Sequence, residues 1–142
     1  MIAVDTNVLV HAHREDSPWH GPALDALGRL AGATWAIPWP CVHEFMAIAT
    51  HPRIFDPPSP LKDAIACAEG WLETPSLRLL AETEGYWSTL RELVGSAGVV
   101  GPRVHDARIA ALCVHHGVDT LWSADRDFSR FPRLNVRNPL VG

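Results

Sequence analysis

Short apolar runs and stretches of helical period take turns along the whole of this 142-residue chain. Ile2-Ala3-Val4, Trp35-Ala36-Ile37, Leu77-Arg78-Leu79-Leu80 and Thr120-Leu121-Trp122 read as short buried strands, and Leu134-Asn135-Val136 as a fifth. Between them apolar residues recur at helical spacing: Leu24/Leu27/Leu30, Val42/Phe45/Met46/Ala49, Leu61/Ile65/Ala68/Leu72, Trp87/Leu90/Val94 and Ile109/Leu112/Cys113. The punctuation agrees. Pro40 suits a first helical turn, where its missing N–H is not needed. Ser59-Pro60 reads as a cap and first-turn pair, and Gly117 as the residue just past a helix end. Strands separated by helices imply right-handed crossovers and a parallel sheet covered on both faces. The predicted class is α/β: a three-layer α/β/α fold with a mostly parallel sheet of four or five strands.

A chain of this length can bury roughly 68% of its unfolded surface, enough for one core, so a single domain over residues 1–142 is expected. The 47% hydrophobic share is too high for disorder, and no stretch approaches the ~18 apolar residues of a membrane span. Asp5 interrupts the first apolar run and no basic start precedes it, so the N-terminus does not read as a signal peptide. Cys41, Cys67 and Cys113 are odd in number and lack metal-ligand spacing, which points to reduced thiols and a cytoplasmic location. The net charge of −4 argues against a simple basic nucleic-acid binder, but not against a protein that borrows positive charge from metal ions. The proline-rich piece from His51 to Pro60 reads as a surface loop.

In open parallel sheets ligands bind outside the carboxyl ends of the strands. Five acids fall at that rim. Asp5 directly follows the first strand, Glu44 lies early in the helix after the second, Asp106 opens the helix that leads into the fourth, and Asp125 and Asp127 lie just beyond the fourth. Singly, each has an ordinary explanation: Asp5 caps a turn, Glu44 sits on a solvated helix face, Asp125 and Asp127 are loop residues. Asp106 is harder to dismiss, because Ile109, Ala110 and Cys113 place it beside an apolar face. Together they form a carboxylate cluster that repels itself unless a cation neutralises it. Oxygen ligands without His or Cys suit Mg²⁺ or Mn²⁺, and such sites act on phosphate esters.

The segments Val4-Asp5-Thr6-Asn7-Val8-Leu9, the lone Glu44, His105-Asp106-Ala107-Arg108-Ile109-Ala110-Ala111 and Ser123-Ala124-Asp125-Arg126-Asp127-Phe128 resemble the PIN-domain nucleases, and more narrowly the VapC-type toxins of bacterial toxin–antitoxin pairs. The likeness runs in order from Ile2 to about Pro139, with no matching motif between about His51 and Arg103. It implies a Mg²⁺- or Mn²⁺-dependent endoribonuclease, inhibited by a cognate VapB-type antitoxin. It implies that Asp5, Glu44, Asp106 and Asp125 form the catalytic metal site, supplemented by Asp127, with Thr6, Asn7 and Ser123 orienting ligands or waters. It further implies a homodimer, for which the apolar stripes of the motif-poor middle helices offer an interface.

Among one lysine and eleven arginines, Arg103, Arg126 and Arg130 flank the expected cleft and are the candidates for RNA phosphate contacts. His11-Ala12-His13 and His115-His116 invite a zinc reading, but they lie away from one another and from the rim. Most of the six tryptophans fit core positions, with Trp19 the one free to meet a base or a partner. Two other functions stay open on the residues. A phosphatase or phosphotransferase with a nucleophilic Asp5 would usually carry a second Asp where Asn7 stands, and Lys62 is the sole lysine. A non-catalytic RNA-binding relative would have lost one or more of the acids, and all are present.

Overall fold

The computed structural model describes all 142 residues. The strands are β1 (Ile2–Val4), β2 (Trp35–Pro38), β3 (Leu77–Leu80), β4 (Thr120–Trp122) and β5 (Val136–Arg137), in spatial order β3-β2-β1-β4-β5, with every neighbouring pair parallel. The helices are α1 (Thr6–His13), α2 (His20–Gly28), α3 (Trp39–Ala49), α4 (Leu61–Leu72), α5 (Tyr86–Ala97) and α6 (Val104–His115). Two 3₁₀ turns, Gly101–Arg103 and Arg126–Arg130, precede α6 and follow β4.

The crossovers explain the layers. The chain steps outward from β1 to β2 to β3, then returns across the sheet to β4. Right-handed connections therefore put α1–α4 on one face and α5–α6 on the other. The helices pack in those groups: α1 on α2 and α3, α3 on α4, and α5 on α6. The central strands are apolar on both sides because both faces are covered: Ala3, Val4, Ala36, Ile37 and Leu121 are fully buried. The chain leaves β1 toward one edge and β4 toward the other, so a crevice opens beyond their carboxyl ends. Val4 pairs with Trp122, and the Asp5 N–H donates to the Trp122 carbonyl at 3.0 Å. That register sets Asp5 beside Ser123.

Four expectations need correction. The fifth strand is Val136–Arg137, two residues later than its apolar signal, because Leu134 is buried in the preceding turn, where its N–H bonds to Phe131. Ser59 does not cap α4. Its hydroxyl instead meets His13 Nε2 at 2.8 Å and Arg14 Nη1 at 3.2 Å, tying the end of α1 to the loop. On α4 the residues that go inside are Ala64 and Ala68, while Leu61 (62% exposed) and Ile65 (41%) face outward. Small residues let the helix approach closely, which turns half of its apolar stripe away. Trp87 is 68% exposed, since α5 buries Leu93 rather than the Trp87 side.

Candidate active site

Asp5 is the N-cap of α1 and is 4% exposed. Its Oδ1 accepts from the Thr6 N–H at 2.8 Å and from the Cys41 thiol at 3.4 Å, and its Oδ2 from Ser123 Oγ at 2.7 Å and Asn7 Nδ2 at 3.1 Å. A carboxylate has about four lone-pair positions, so this one is saturated. Burial pushes its pKa upward, and the Ser123, Thr6 and Cys41 donors oppose that shift by favouring the anion. The Cys41 thiol is itself buried, which raises its pKa well above the usual range and keeps it a neutral donor.

The same small residues link the two sides of the crevice. Asn7 Nδ2 also donates to Ser123 Oγ at 3.1 Å, and Asn7 Oδ1 accepts from the Ala124 N–H at 3.0 Å. Ser123 Oγ accepts from the Asp125 N–H at 3.0 Å. Asp125 in turn caps the 3₁₀ turn by accepting from the Asp127 N–H at 2.9 Å. Thr6 Oγ1 donates to Glu44 Oε2 at 2.8 Å, which draws the α3 carboxylate toward the start of α1.

These contacts converge on one pocket of about 160 Å³, bounded by Asp5, Glu44, Asp106 and Asp125 and walled by Ile48, Ile109 and Phe128. At its edge, Asp106 and Asp125 of the lining join the exposed Asp127 in a tighter set. Asp106, Asp125 and Asp127 bring ligand oxygens within 4.8 Å of one another. Asp5 and Glu44 line the pocket outside that triad. Burial raises the pKa of Asp106, and Asp125, Asp127 and Glu44 raise it further by repulsion, against the opposing pull of Arg103. A cation meets the cluster from the exposed side: Arg103 Nη1 lies 3.5 Å from Asp127 Oδ2. An all-oxygen, strongly acidic donor set with no internal cation fits a hard divalent ion and not a soft one.

The three arginines separate. Arg103 is paired with Asp127 at the rim, and Arg126 borders a larger hollow beyond Asp125. Arg130 does not flank the acidic pocket, because the 3₁₀ turn aims it at a separate recess beside Leu93 and Pro132. The histidine pairs tie elements together instead of meeting each other: His11 Nδ1 bonds Ser17, His115 Nε2 bonds Thr83 and His116 Nε2 bonds the Ala81 carbonyl. From the sequence Cys41 reads only as a reduced thiol and not as a neighbour of Asp5. Its position three residues before Glu44, one turn away on the same helix side, was the available signal.

The PIN domain matches residues 2–134 of this chain. Ribonuclease VapC48 of Mycobacterium tuberculosis is 34% identical over 140 residues, covering 97% of each chain. The chain belongs to the VapC ribonucleases of the PIN-domain family. The VapC ribonuclease Mb2897 of Mycobacterium bovis is 35% identical over 144 residues, covering 100% of this chain and 97% of its own. The PIN fold is shared with VapC20 of M. tuberculosis, a sarcin–ricin loop cleaving toxin, at TM-score 0.70 and 17% identity over 91% of this chain and 93% of the other. It is shared also with a chain of the VapBC2 complex of Rickettsia felis, at TM-score 0.68 and 21% identity over 97% and 98%.

Proposed function

We propose that this PIN domain is a Mg²⁺- or Mn²⁺-dependent endoribonuclease and the toxin of a toxin–antitoxin pair. The observation that carries the reading is the convergence of Asp5, Glu44, Asp106 and Asp125, from four separate elements, on one pocket. Asp106, Asp125 and Asp127 would hold the ion, with Asp5 behind them and Glu44 beside. When bound, Mg²⁺ or Mn²⁺ would neutralise the carboxylates, acidify a water and offset charge on the scissile phosphate.

The rest belongs to the side chains. Thr6 fixes Glu44 through Oε2, while Oε1 has no hydrogen-bond partner and can accept a proton from the attacking water. Asp5 has no free lone pair. It anchors the Thr6–Asn7 turn and the Ser123 hydroxyl and so holds the two walls of the crevice in register. The pocket's lining of carboxylates and small polar groups suits an ion, its waters and the oxygens of a phosphodiester. Arg103 is placed to meet a neighbouring phosphate by exchanging its contact with Asp127.

The names of the relatives support RNA as substrate, and the VapBC2 complex supports a VapB-type antitoxin as partner. The exposed Leu61 and Ile65 on α4 support a homodimer that covers them. Three free thiols, with no helix long and apolar enough to cross a membrane, support a cytoplasmic location. Saturation and burial speak against a phosphatase reading, because Asp5 is in no position to attack phosphorus. The test is cleavage of total RNA by purified wild type and Asp106→Asn in Mg²⁺, Mn²⁺ and EDTA. Cleavage by wild type with either metal, stopped by EDTA and by the substitution, is expected. Cleavage that persists in EDTA rejects the metal site.

A further inference from the structure

The largest hollow of the molecule is not the acidic pocket but its neighbour. It measures about 580 Å³ and lies beyond the ends of β4 and β5. That volume falls in the ~300–1,000 Å³ range of sites that enclose small organic ligands. Asp125 lines both spaces. The 3₁₀ turn Arg126–Arg130 is the partition between them. In such a turn residues three apart eclipse one another. Asp125 and Phe128 therefore face the acidic pocket, and Arg126 and Ser129 face the hollow. The hollow has an apolar floor of Phe131, Leu134 and Val136, and a polar edge of Ser129 and Asn138. Arg126 stands at its mouth and makes no ion pair, unlike Arg103.

The geometry points to this hollow as the binding site for one unpaired nucleotide of the RNA, the residue next to the scissile phosphodiester. The inference rests on the ribonuclease reading and deepens it. A strand whose phosphate occupies the 160 Å³ acidic pocket must place its neighbouring nucleoside outside, and the shared wall at Asp125 leads into the hollow. An apolar lining, buried at Phe131 and Leu134 and open at Val136 and Val141, suits the face of a base, since contact with apolar surface is one way proteins hold unpaired bases. Ser129 and Asn138 offer donors and acceptors to the base edge, which gives the site the means to prefer one base over another. Arg126 is free to meet the phosphate on the far side of that nucleoside.

The test has two arms. In the first, the four nucleoside 5′-monophosphates are titrated into the full chain in EDTA and followed by NMR. Shifts confined to Ser129, Val136, Asn138 and Val141, stronger for one base than the others, are expected. Absence of shifts there at millimolar nucleotide overturns the inference. In the second arm, Ser129→Trp fills the hollow from an exposed position, and Arg126→Ala removes the free cation. RNA oligonucleotides randomised around the cleavage position are the substrate. Ser129→Trp is expected to raise KM about tenfold or more, the scale of losing one stacked base, and to erase the preference at the flanking nucleotide. Arg126→Ala is expected to raise KM and keep the preference. Unchanged KM and preference in Ser129→Trp, even with nucleotides bound, would mark a free-nucleotide site and overturn the assignment to substrate. Displacement of bound nucleotide by purified antitoxin, with Ser129→Trp cleaving normally, would give the hollow to the protein partner and likewise overturn it. If wild type cleaves no RNA, the ribonuclease reading fails, while the metal-free titration still decides whether the hollow binds a nucleotide.

Discussion

Asp5 and Asp106 carry the same functional group and should respond oppositely to amidation. Asp5 is saturated by four donors, so the amide of Asp5→Asn turns an NH₂ toward groups that also donate. Its unfolding free energy should fall by about 1–3 kcal/mol, the scale of an unsatisfied buried polar group, as read by urea denaturation. Asp106 has no such donors and faces the repulsion of Asp125, Asp127 and Glu44. Asp106→Asn should therefore raise Tm in EDTA and lose that advantage when Mg²⁺ is added. Both should lower kcat by roughly 100-fold or more, measured on the same RNA. A shared loss of activity with opposite stability effects separates the anchor from the ion-holding acid. An Asp106→Asn protein that melts below wild type in EDTA would contradict the crowding argument.

At the scale of elements, two helix ends make separate claims. Gly117 closes α6 with φ of +70°, and no atom lies within 4 Å of where a Cβ would stand. Gly117→Ala should lower stability by about 1–2 kcal/mol from backbone conformation alone, in a denaturant titration with the activity of the folded protein intact. The end of α1 is held by His13, whose pKa burial lowers from 6.5, with Arg14 and His20 adding repulsion and Asp63 opposing them. Arg14 donates to Ser59 Oγ, so the hydroxyl proton is free to point at neutral His13 Nε2. Protonation would set two cationic donors on one oxygen. A lowered folded pKa means that the unfolded chain binds the proton first, so stability is full above pH 6.5 and is lost as pH falls through the lowered value. Tm should drop as the pH falls from 6.5 toward the lowered value, and His13→Gln should flatten part of that drop. His11, also lowered by burial, carries some of the remainder.

For the molecule as a whole, metal, partner and toxicity should be linked through one site. An ion held by the acidic cluster would favour the folded state, so Mg²⁺ or Mn²⁺ should raise Tm with concentration, an effect expected to be absent in Asp125→Asn. Induction of wild type in a bacterial host should arrest growth, Asp106→Asn should not, and co-expressed antitoxin should relieve the arrest. Equal arrest by both proteins would place the toxicity elsewhere. Much of this was legible along the chain. Alternating apolar runs and helical periods are enough to dictate a parallel α/β sheet, because each run is too short and too apolar to be stable unless covered on both faces. Acids next to strand ends then fall at the carboxyl rim by topology alone. What the sequence did not contain was which atoms touch. Burial of Ala64 and Ala68 turned Leu61 and Ile65 outward, and the eclipsed turn Arg126–Arg130 sent Arg130 away from the cleft and moved Asp127 into the tight triad. The β1–β4 register set Ser123 against Asp5, and α3 delivered Cys41 to the same carboxylate. Pattern is a property of neighbours in the chain and survives into the fold. Contacts between residues 36 or 118 positions apart depend on register and helix packing, which are settled only when every element is in place.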